Sequence, residues 1–99
     1  MVKGPESLIT AKIMSWLKKQ PRCWCFKVHG NRFQISGLPD IIGLCDGHFF
    51  AIEVKQPDEV PTKLQQHFID LIVSCGGTAF AAHSLDEVKD VWFQRDRRL

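Results

Sequence analysis

The sequence predicts an α/β fold in which a mixed four-stranded sheet is flanked by helices. Stretches with the apolar spacing of helices alternate with short runs of β-branched, aromatic and other apolar residues. In addition, the dipeptide Asp46-Gly47 separates two such runs, which is typical of a two-residue hairpin turn. A chain of 99 residues has room for one modest core, so we expect residues 1–99 to form a single domain.

Three segments have the spacing of amphipathic helices. The first spans about 6–19 and ends before Pro21, and the second spans about 62–75 and ends before two glycines. A third begins near residue 84, before a basic tail at 95–98. The second and third each open with a capping-box pattern, Thr62 to Gln65 and Ser84 to Glu87. The predicted apolar stripes are Ile9, Ile13, Trp16 and Leu17; Leu64, Phe68, Leu71, Ile72 and Cys75; and Leu85, Val88 and Trp92.

The strands follow from alternation and from the turn signals. Residues 23–29 alternate with a period of two, whereas 30–38 contain two glycines and predict a loop. The runs 40–45 and 48–55 form the hairpin. The last strand, 78–82, follows a helix, so we expect it to lie parallel to the third by a right-handed crossover.

The hairpin register brings charged residues together. With Asp46 and Gly47 as the turn, residues that face each other have numbers summing to 93, so Asp40 faces Glu53. Lys55 lies two positions beyond Glu53 and projects from the same face. Two facing carboxylates repel, and a divalent cation is the natural way to neutralise them. Oxygen ligands favour Mg²⁺ or Mn²⁺, which complete their coordination with water and substrate phosphate. The pattern therefore predicts hydrolysis of a phosphodiester, with Lys55 orienting water or stabilising the transition state.

These motifs resemble those of a known nuclease family. Pro39-Asp40 followed by Glu53-Val54-Lys55 is similar to the PD-(D/E)xK signature, and the match extends to Glu6, the stretch 37–41, Ile52 and Gln65, as in the VRR-NUC family. The resemblance spans about residues 6–88. It implies a restriction-endonuclease-like αβββαβ core with a metal bound by Asp40, Glu53 and the carbonyl of Val54. It also implies that Lys55 is the catalytic lysine and that Glu6 and Gln65 have supporting roles in the active site.

The resemblance also implies substrate and partners. Small stand-alone VRR-NUC proteins occur in phages and are implied to act as homodimers on branched DNA such as four-way junctions. A metal-dependent DNA endonuclease in the cytoplasm of a bacterial host, with no small-molecule cofactor, is therefore the leading hypothesis. A two-fold dimer also follows from symmetric cleavage, since one site makes one cut. The alternatives are a nicking or restriction-type nuclease on duplex DNA, and a non-catalytic DNA-binding or assembly subunit with the same fold.

Several residues have a second interpretation. Glu6 is also explained by the dipole of the first helix, and Gln65 by the capping box with Thr62. Lys27 and Arg32 are the best candidates for contacts with DNA phosphates, although solvated charge is the usual role of such residues. The three tryptophans are expected in the core or at an interface. The four histidines lack the spacing of zinc ligands.

Composition sets the remaining limits. The formal charge of +2 is too small to indicate a nucleic-acid partner by itself. Apolar stretches are far shorter than the roughly 20 residues that span a bilayer, and the first residues form no hydrophobic signal segment. We therefore expect no membrane association. The four cysteines have no C-x-x-C spacing, which favours reduced thiols in a cytosolic protein over a disulfide framework.

Overall fold

The computed structural model describes residues 4–29 and 35–96. The elements are α1 (Pro5–Leu17), β1 (Cys23–Lys27), β2 (Ile41–Cys45), β3 (His48–Val54), α2 (Lys63–Ser74), β4 (Thr78–Ala82) and α3 (Leu85–Asp96). The strands form one sheet in the order β1-β2-β3-β4. The first two pairings are antiparallel and β3 pairs with β4 in parallel, which confirms the predicted α/β class and mixed sheet.

The turn between β2 and β3 has the conformation that the sequence indicates. Asp46 and Gly47 both have positive φ, 54° and 75°, as a type I′ hairpin turn requires. The Asp46 carboxylate also pairs with the Arg22 guanidinium. Cys45 faces His48 at the turn and Ile41 faces Ile52 at the far end, so the predicted register is confirmed.

One face of the sheet forms the core with α1 and α3. Ile13 and Leu17 of α1, Ile52 of β3 and Val88 of α3 are fully buried in one apolar cluster. The Trp92 ring packs edge to face on Phe50 and on Trp16, with ring centroids 5.1 and 5.9 Å apart. Trp16 and Trp92 therefore belong to the core, as expected, whereas 65% of the Trp24 surface is exposed.

The residues that the structure describes cover only part of the opposite face. Helix α2 packs against β3 and β4, and Ile69 is its buried residue. The predicted apolar stripe of this helix is therefore wrong in detail, because Leu64, Leu71 and Cys75 are exposed. The physical reason is that α2 packs on β4 and β3, at one edge of the sheet, so the sheet does not cover the whole apolar side of the helix.

The element ends differ from the sequence predictions by a few residues. Helix α1 ends at Leu17 and strand β1 at Lys27, while α3 continues into the predicted basic tail as far as Asp96. The predicted loop at 30–38 is described only from 35 onward, and its first part, with Arg32, lies outside the described residues, as do 97–99. No helix in the described ranges is long and apolar enough to cross a bilayer.

The capping pattern of α3 also differs from the predicted box. The Ser84 hydroxyl accepts a hydrogen bond from the Glu87 N–H, as predicted. The Glu87 carboxylate, however, accepts from the backbone N–H of His83, one residue before Ser84. The Glu87 carboxylate thus caps His83 rather than Ser84, because it also forms a hydrogen bond with the His83 ring, which directly follows β4.

Candidate active site

Asp40 and Glu53 lie at the end of the β2–β3 hairpin away from the turn. Asp40 directly precedes β2, and its carbonyl accepts a hydrogen bond from the Val28 N–H at 2.7 Å, which continues the β1–β2 pairing. Its carboxylate Oδ2 accepts from the Val54 N–H at 2.8 Å. The backbone of β3 thus fixes the Asp40 side chain against the strand that bears Glu53, and the two carboxylates share a face of the sheet.

Glu6 completes an acidic cluster with these two residues. It stands in the first turn of α1, and Pro5 provides the fixed φ that suits a helix start. One carboxylate oxygen from each of Glu6, Asp40 and Glu53 lies within 4.8 Å of the others. Glu53 is only 2% exposed, whereas Glu6 and Asp40 are half-buried. The cluster therefore opens to solvent on the side of Glu6 and Asp40.

Burial and mutual repulsion make this cluster hard to ionise without a counter-charge. Burial, together with a hydrogen bond to Asp40 and the charge of that residue, raises the pKa of Glu53 to about 8, although the Lys55 ammonium acts in the opposite direction. The pKa of Glu6 is also raised, first by burial and then by the charge of Asp40. Burial and the neighbouring carboxylate thus outweigh the Lys55 ammonium in their effect on the pKa of Glu53 and of Glu6.

Lys55 is the cation that accompanies the cluster. It follows β3 directly, and its backbone N–H donates to the Ala82 carbonyl at 3.0 Å, which extends the pairing with β4. The residue is only 8% exposed, and its Nζ lies 3.8 Å from the Glu53 Oε2. The ammonium of this buried lysine therefore lies beside the carboxylates without a tight hydrogen bond to Glu53.

The cluster fits a divalent cation. Three carboxylates supply hard oxygen ligands in the number that Mg²⁺ or Mn²⁺ uses when water and substrate complete the shell. Since the N–H and C=O of a strand residue point to the same edge, the Val54 carbonyl faces the side on which Asp40 lies. The structure thus brings together the residues proposed as metal ligands, and it adds Glu6 to them as a third carboxylate.

The other predicted site residues lie in different settings. The Gln65 side chain accepts from the Thr62 N–H at 2.9 Å, and the Thr62 hydroxyl accepts from the Gln65 N–H at 3.2 Å, so both halves of the predicted capping box are present. Lys27 is exposed at the end of β1 and borders a shallow pocket of about 220 Å³ beside α1. Its contact with DNA stays a prediction, as does a role of Gln65 in catalysis.

One residue near the site was not singled out from the sequence. His83 directly follows β4, and its Nε2 lies 2.8 Å from the Glu59 carbonyl while its Nδ1 lies 3.0 Å from the Glu87 carboxylate. The first contact and then the second raise the pKa of His83, which favours a doubly protonated ring that donates to both. His83 thereby ties the segment around Glu59 to the start of α3. In the sequence, the only pattern that points to these contacts of His83 is the neighbouring capping pattern from Ser84 to Glu87.

The chain has an α/β fold of the restriction-endonuclease-like type, with three carboxylates and a buried lysine at one end of its hairpin. Among solved structures, one described as "VRR_NUC domain" has a TM-score of 0.76 at 18% identity, with 90% of this chain and 95% of that chain covered. Another, described as "VRR_NUC domain protein", has a TM-score of 0.69 at 22% identity, covering 95% and 89%. The resemblance to VRR-NUC proteins is thus confirmed at the level of the fold. No protein-family model and no curated protein matches this chain.

Proposed function

We propose that this chain is a metal-dependent endonuclease that hydrolyses DNA phosphodiester bonds, with residues 1–99 acting as one nuclease domain. The supporting observation is that carboxylate oxygens of Glu6, Asp40 and Glu53 lie within 4.8 Å of one another. The buried Lys55 lies beside them. A structural role alone does not account for it, since three clustered carboxylates destabilise a folded chain unless a cation binds them. The VRR-NUC fold is consistent with the same conclusion.

Asp40, Glu53 and the Val54 carbonyl would hold Mg²⁺ or Mn²⁺, with Glu6 at the open side of the cluster. Such an ion, when bound, would supply a coordinated water of lowered pKa and would offset charge on the phosphoryl oxygens. The backbone N–H of Val54 keeps the Asp40 carboxylate in position. Lys55, whose Nζ lies 3.8 Å from the Glu53 Oε2, would orient the attacking water or stabilise the negative charge of the transition state. Gln65 is proposed to assist from the start of α2.

The substrate that we propose is branched DNA, such as a four-way junction, cut by a homodimer in the cytoplasm of a bacterial host, with a phage or prophage as the source. Two copies place one site on each of two strands, which a symmetric junction requires. Lys27 and Arg32 are proposed to contact phosphates flanking the cut. The second candidate is a nicking or restriction-type nuclease on plain duplex, for which the same acidic cluster would suffice.

The test is cleavage of four-way junctions, flaps and plain duplex in Mg²⁺ or Mn²⁺. We expect the junction to be cut first, and Asp40→Asn to lower the rate at least about 100-fold. Asp90→Asn, which changes an exposed aspartate of α3, serves as the matched control and should cut like the wild type. Equal rates for Asp40→Asn and the wild type would refute the catalytic assignment. A preference for duplex would favour the second candidate.

A non-catalytic subunit is distinguished by calorimetry with Mn²⁺. The nuclease requires the metal, so the wild type should bind Mn²⁺ and Asp40→Asn should bind it much more weakly. A subunit that only binds DNA has no such requirement. Absence of Mn²⁺ binding together with absence of cleavage would therefore favour that alternative.

A further inference from the structure

Two cysteines face each other across the first two strands of the sheet. Cys23 is the first residue of β1 and Cys45 the last of β2, and the antiparallel register pairs them directly. Cys45 belongs to the apolar core and Cys23 packs against that core, so both side chains lie on the same face of the sheet. The two residues are 22 positions apart in the chain. Their pairing therefore depends on the β1–β2 register and not on a local motif.

This pair occupies a position at which antiparallel strands approach each other most closely. The Asp46 N–H donates a hydrogen bond to the Arg22 carbonyl at 3.0 Å, so these two residues form a hydrogen-bonded pair of the ladder. Hydrogen-bonded and non-hydrogen-bonded pairs alternate along an antiparallel ladder. Cys23 and Cys45 come next and are therefore a non-hydrogen-bonded pair, in which the Cα atoms lie about 4.5 Å apart.

The spacing of such a pair suits a disulfide bond. A disulfide needs Cα atoms about 4.4–6.8 Å apart and Cβ atoms about 3.5–4.5 Å apart. The next non-hydrogen-bonded pair, Cys25 and Gly43, shows how near the two strands come, since a Cβ on Gly43 would lie only 2.6 Å from the Cys25 Cβ. The backbones at Cys23 and Cys45 are thus close enough for a bond between their sulfurs without a shift of either strand.

The other two cysteines lie in settings that do not favour a bond with this pair. Cys25 faces Gly43, and its Sγ contacts the Met14 Sδ at 3.9 Å. Burial raises the pKa of the Cys25 thiol, which disfavours the reactive thiolate. Cys75 is exposed and directly follows α2, on the other face of the sheet. The fold therefore selects Cys23 and Cys45 from the four cysteines of the chain.

We propose that Cys23 and Cys45 are a redox-active pair, which a low-molecular-weight disulfide such as oxidised glutathione converts into a disulfide bond between β1 and β2. Cys23 is half-buried and reacts first, since Cys45 is only 4% exposed. The Cys23 thiolate attacks one glutathione sulfur, and a glutathione thiolate leaves. The Cys45 thiolate then attacks the Cys23 sulfur and displaces the second glutathione. Two protein thiols are oxidised, and the two thiolates that leave take up their protons.

The bond would fasten the outermost strand of the sheet. Strand β1 lies at an edge and pairs only with β2. A Cα separation of about 4.5 Å is at the short end of the disulfide range, which makes the bond readily reducible. The pair should therefore respond to the ratio of oxidised to reduced glutathione. It lies at the turn end of the hairpin, away from the acidic cluster, so the inference is independent of the proposed nuclease chemistry.

Mass spectrometry of the full chain, treated with oxidised glutathione in EDTA and without DNA, tests the proposal. The Cys75→Ser variant is used so that the exposed thiol does not itself take up glutathione. We expect the folded chain to lose the mass of two hydrogen atoms, and proteolysis to yield a peptide pair joined through Cys23 and Cys45. Excess reduced glutathione should restore the original mass.

Substitutions in the same background separate the two steps. Cys45→Ala should stop at the mixed disulfide and gain the mass of one glutathione at Cys23, whereas Cys23→Ser should form no internal disulfide. Cys25→Ala is the matched control, since it removes a buried thiol from the same strand, and it should still form the bond. Circular dichroism verifies that each variant is folded, and Cys23→Ser, at a half-buried position, provides the test if Cys45→Ala is not.

Three results would overturn the proposal. The first is a folded chain whose mass oxidised glutathione leaves unchanged, and the second is a disulfide that joins other cysteines. The third is a Cys23–Cys45 bond that excess reduced glutathione does not reverse. Because neither metal nor DNA is present, all three are independent of the metal-binding and cleavage assays that test the proposed function.

Discussion

Asp40 and Glu53 occupy the pair of positions directly beyond Ile41 and Ile52 in the β2–β3 register, and their carboxylates approach within 4.8 Å. This placement depends on a turn of two residues, because one residue more or less in the turn would move one carboxylate to the other face of the sheet. The same register puts Lys55 beside Glu53. A local turn signal therefore determines the geometry of the candidate active site.

The metal-free protein should lose stability as pH rises. The pKa of Glu53 is raised from 4.5 to about 8 in the folded state, so between these values the folded chain keeps a proton that the unfolded chain has released. Raising the pH therefore favours unfolding over this range. Glu53→Gln should remove this contribution and be more stable than the wild type at pH 8.5, in EDTA, by urea unfolding. A wild-type advantage at that pH would contradict the prediction.

Lys55→Met should separate metal binding from catalysis. Methionine keeps the apolar stem of this buried side chain but removes the ammonium 3.8 Å from Glu53. We expect cleavage to fall at least about 100-fold, while calorimetry still detects Mn²⁺ binding because the carboxylates remain. Lys63→Met, at an exposed position of α2, is the control and should cleave normally. If Lys55→Met cuts at the wild-type rate, the lysine has no catalytic role.

Gln65 has a structural role, and a paired comparison tests for a catalytic one. Thr62→Ala and Gln65→Ala each break the capping box, and each should cost about 1 kcal/mol of stability in thermal or urea unfolding. If Gln65 also assists catalysis, cleavage by Gln65→Ala should be at least about tenfold slower than by Thr62→Ala. Equal rates at equal stability would assign Gln65 to capping alone.

Gly43 should tolerate no side chain. A Cβ at this position of β2 would lie 2.6 Å from the Cβ of Cys25, its partner on β1, and would also collide with the Trp24 carbonyl. Gly43→Ala should therefore destabilise the protein by about 1–3 kcal/mol in urea unfolding. Gly4→Ala is the control: a Cβ there meets nothing within 4 Å. Its effect should stay within about 0.5 kcal/mol.

The order of the elements and the core of the site follow from short-range signals in the sequence. The Asp46-Gly47 turn and the alternation on either side of it determine the hairpin, and the hairpin determines that Asp40 and Glu53 share a face. The helix that separates 48–55 from 78–82 accounts for the parallel pairing of β3 and β4. These features depend on residues close together in the chain, so their spacing alone is enough to predict them.

Other features depend on contacts between distant segments, and only the tertiary structure decided them. The approach of Glu6 to the two strand carboxylates requires the docking of α1, and the His83 contact with Glu59 joins residues 24 positions apart. The exposure of Leu71 and Cys75 likewise depends on where α2 lies on the sheet. Sequence periodicity determines that a helix has an apolar side. How much of that side is buried depends on the width of the sheet beneath it, which no local pattern encodes.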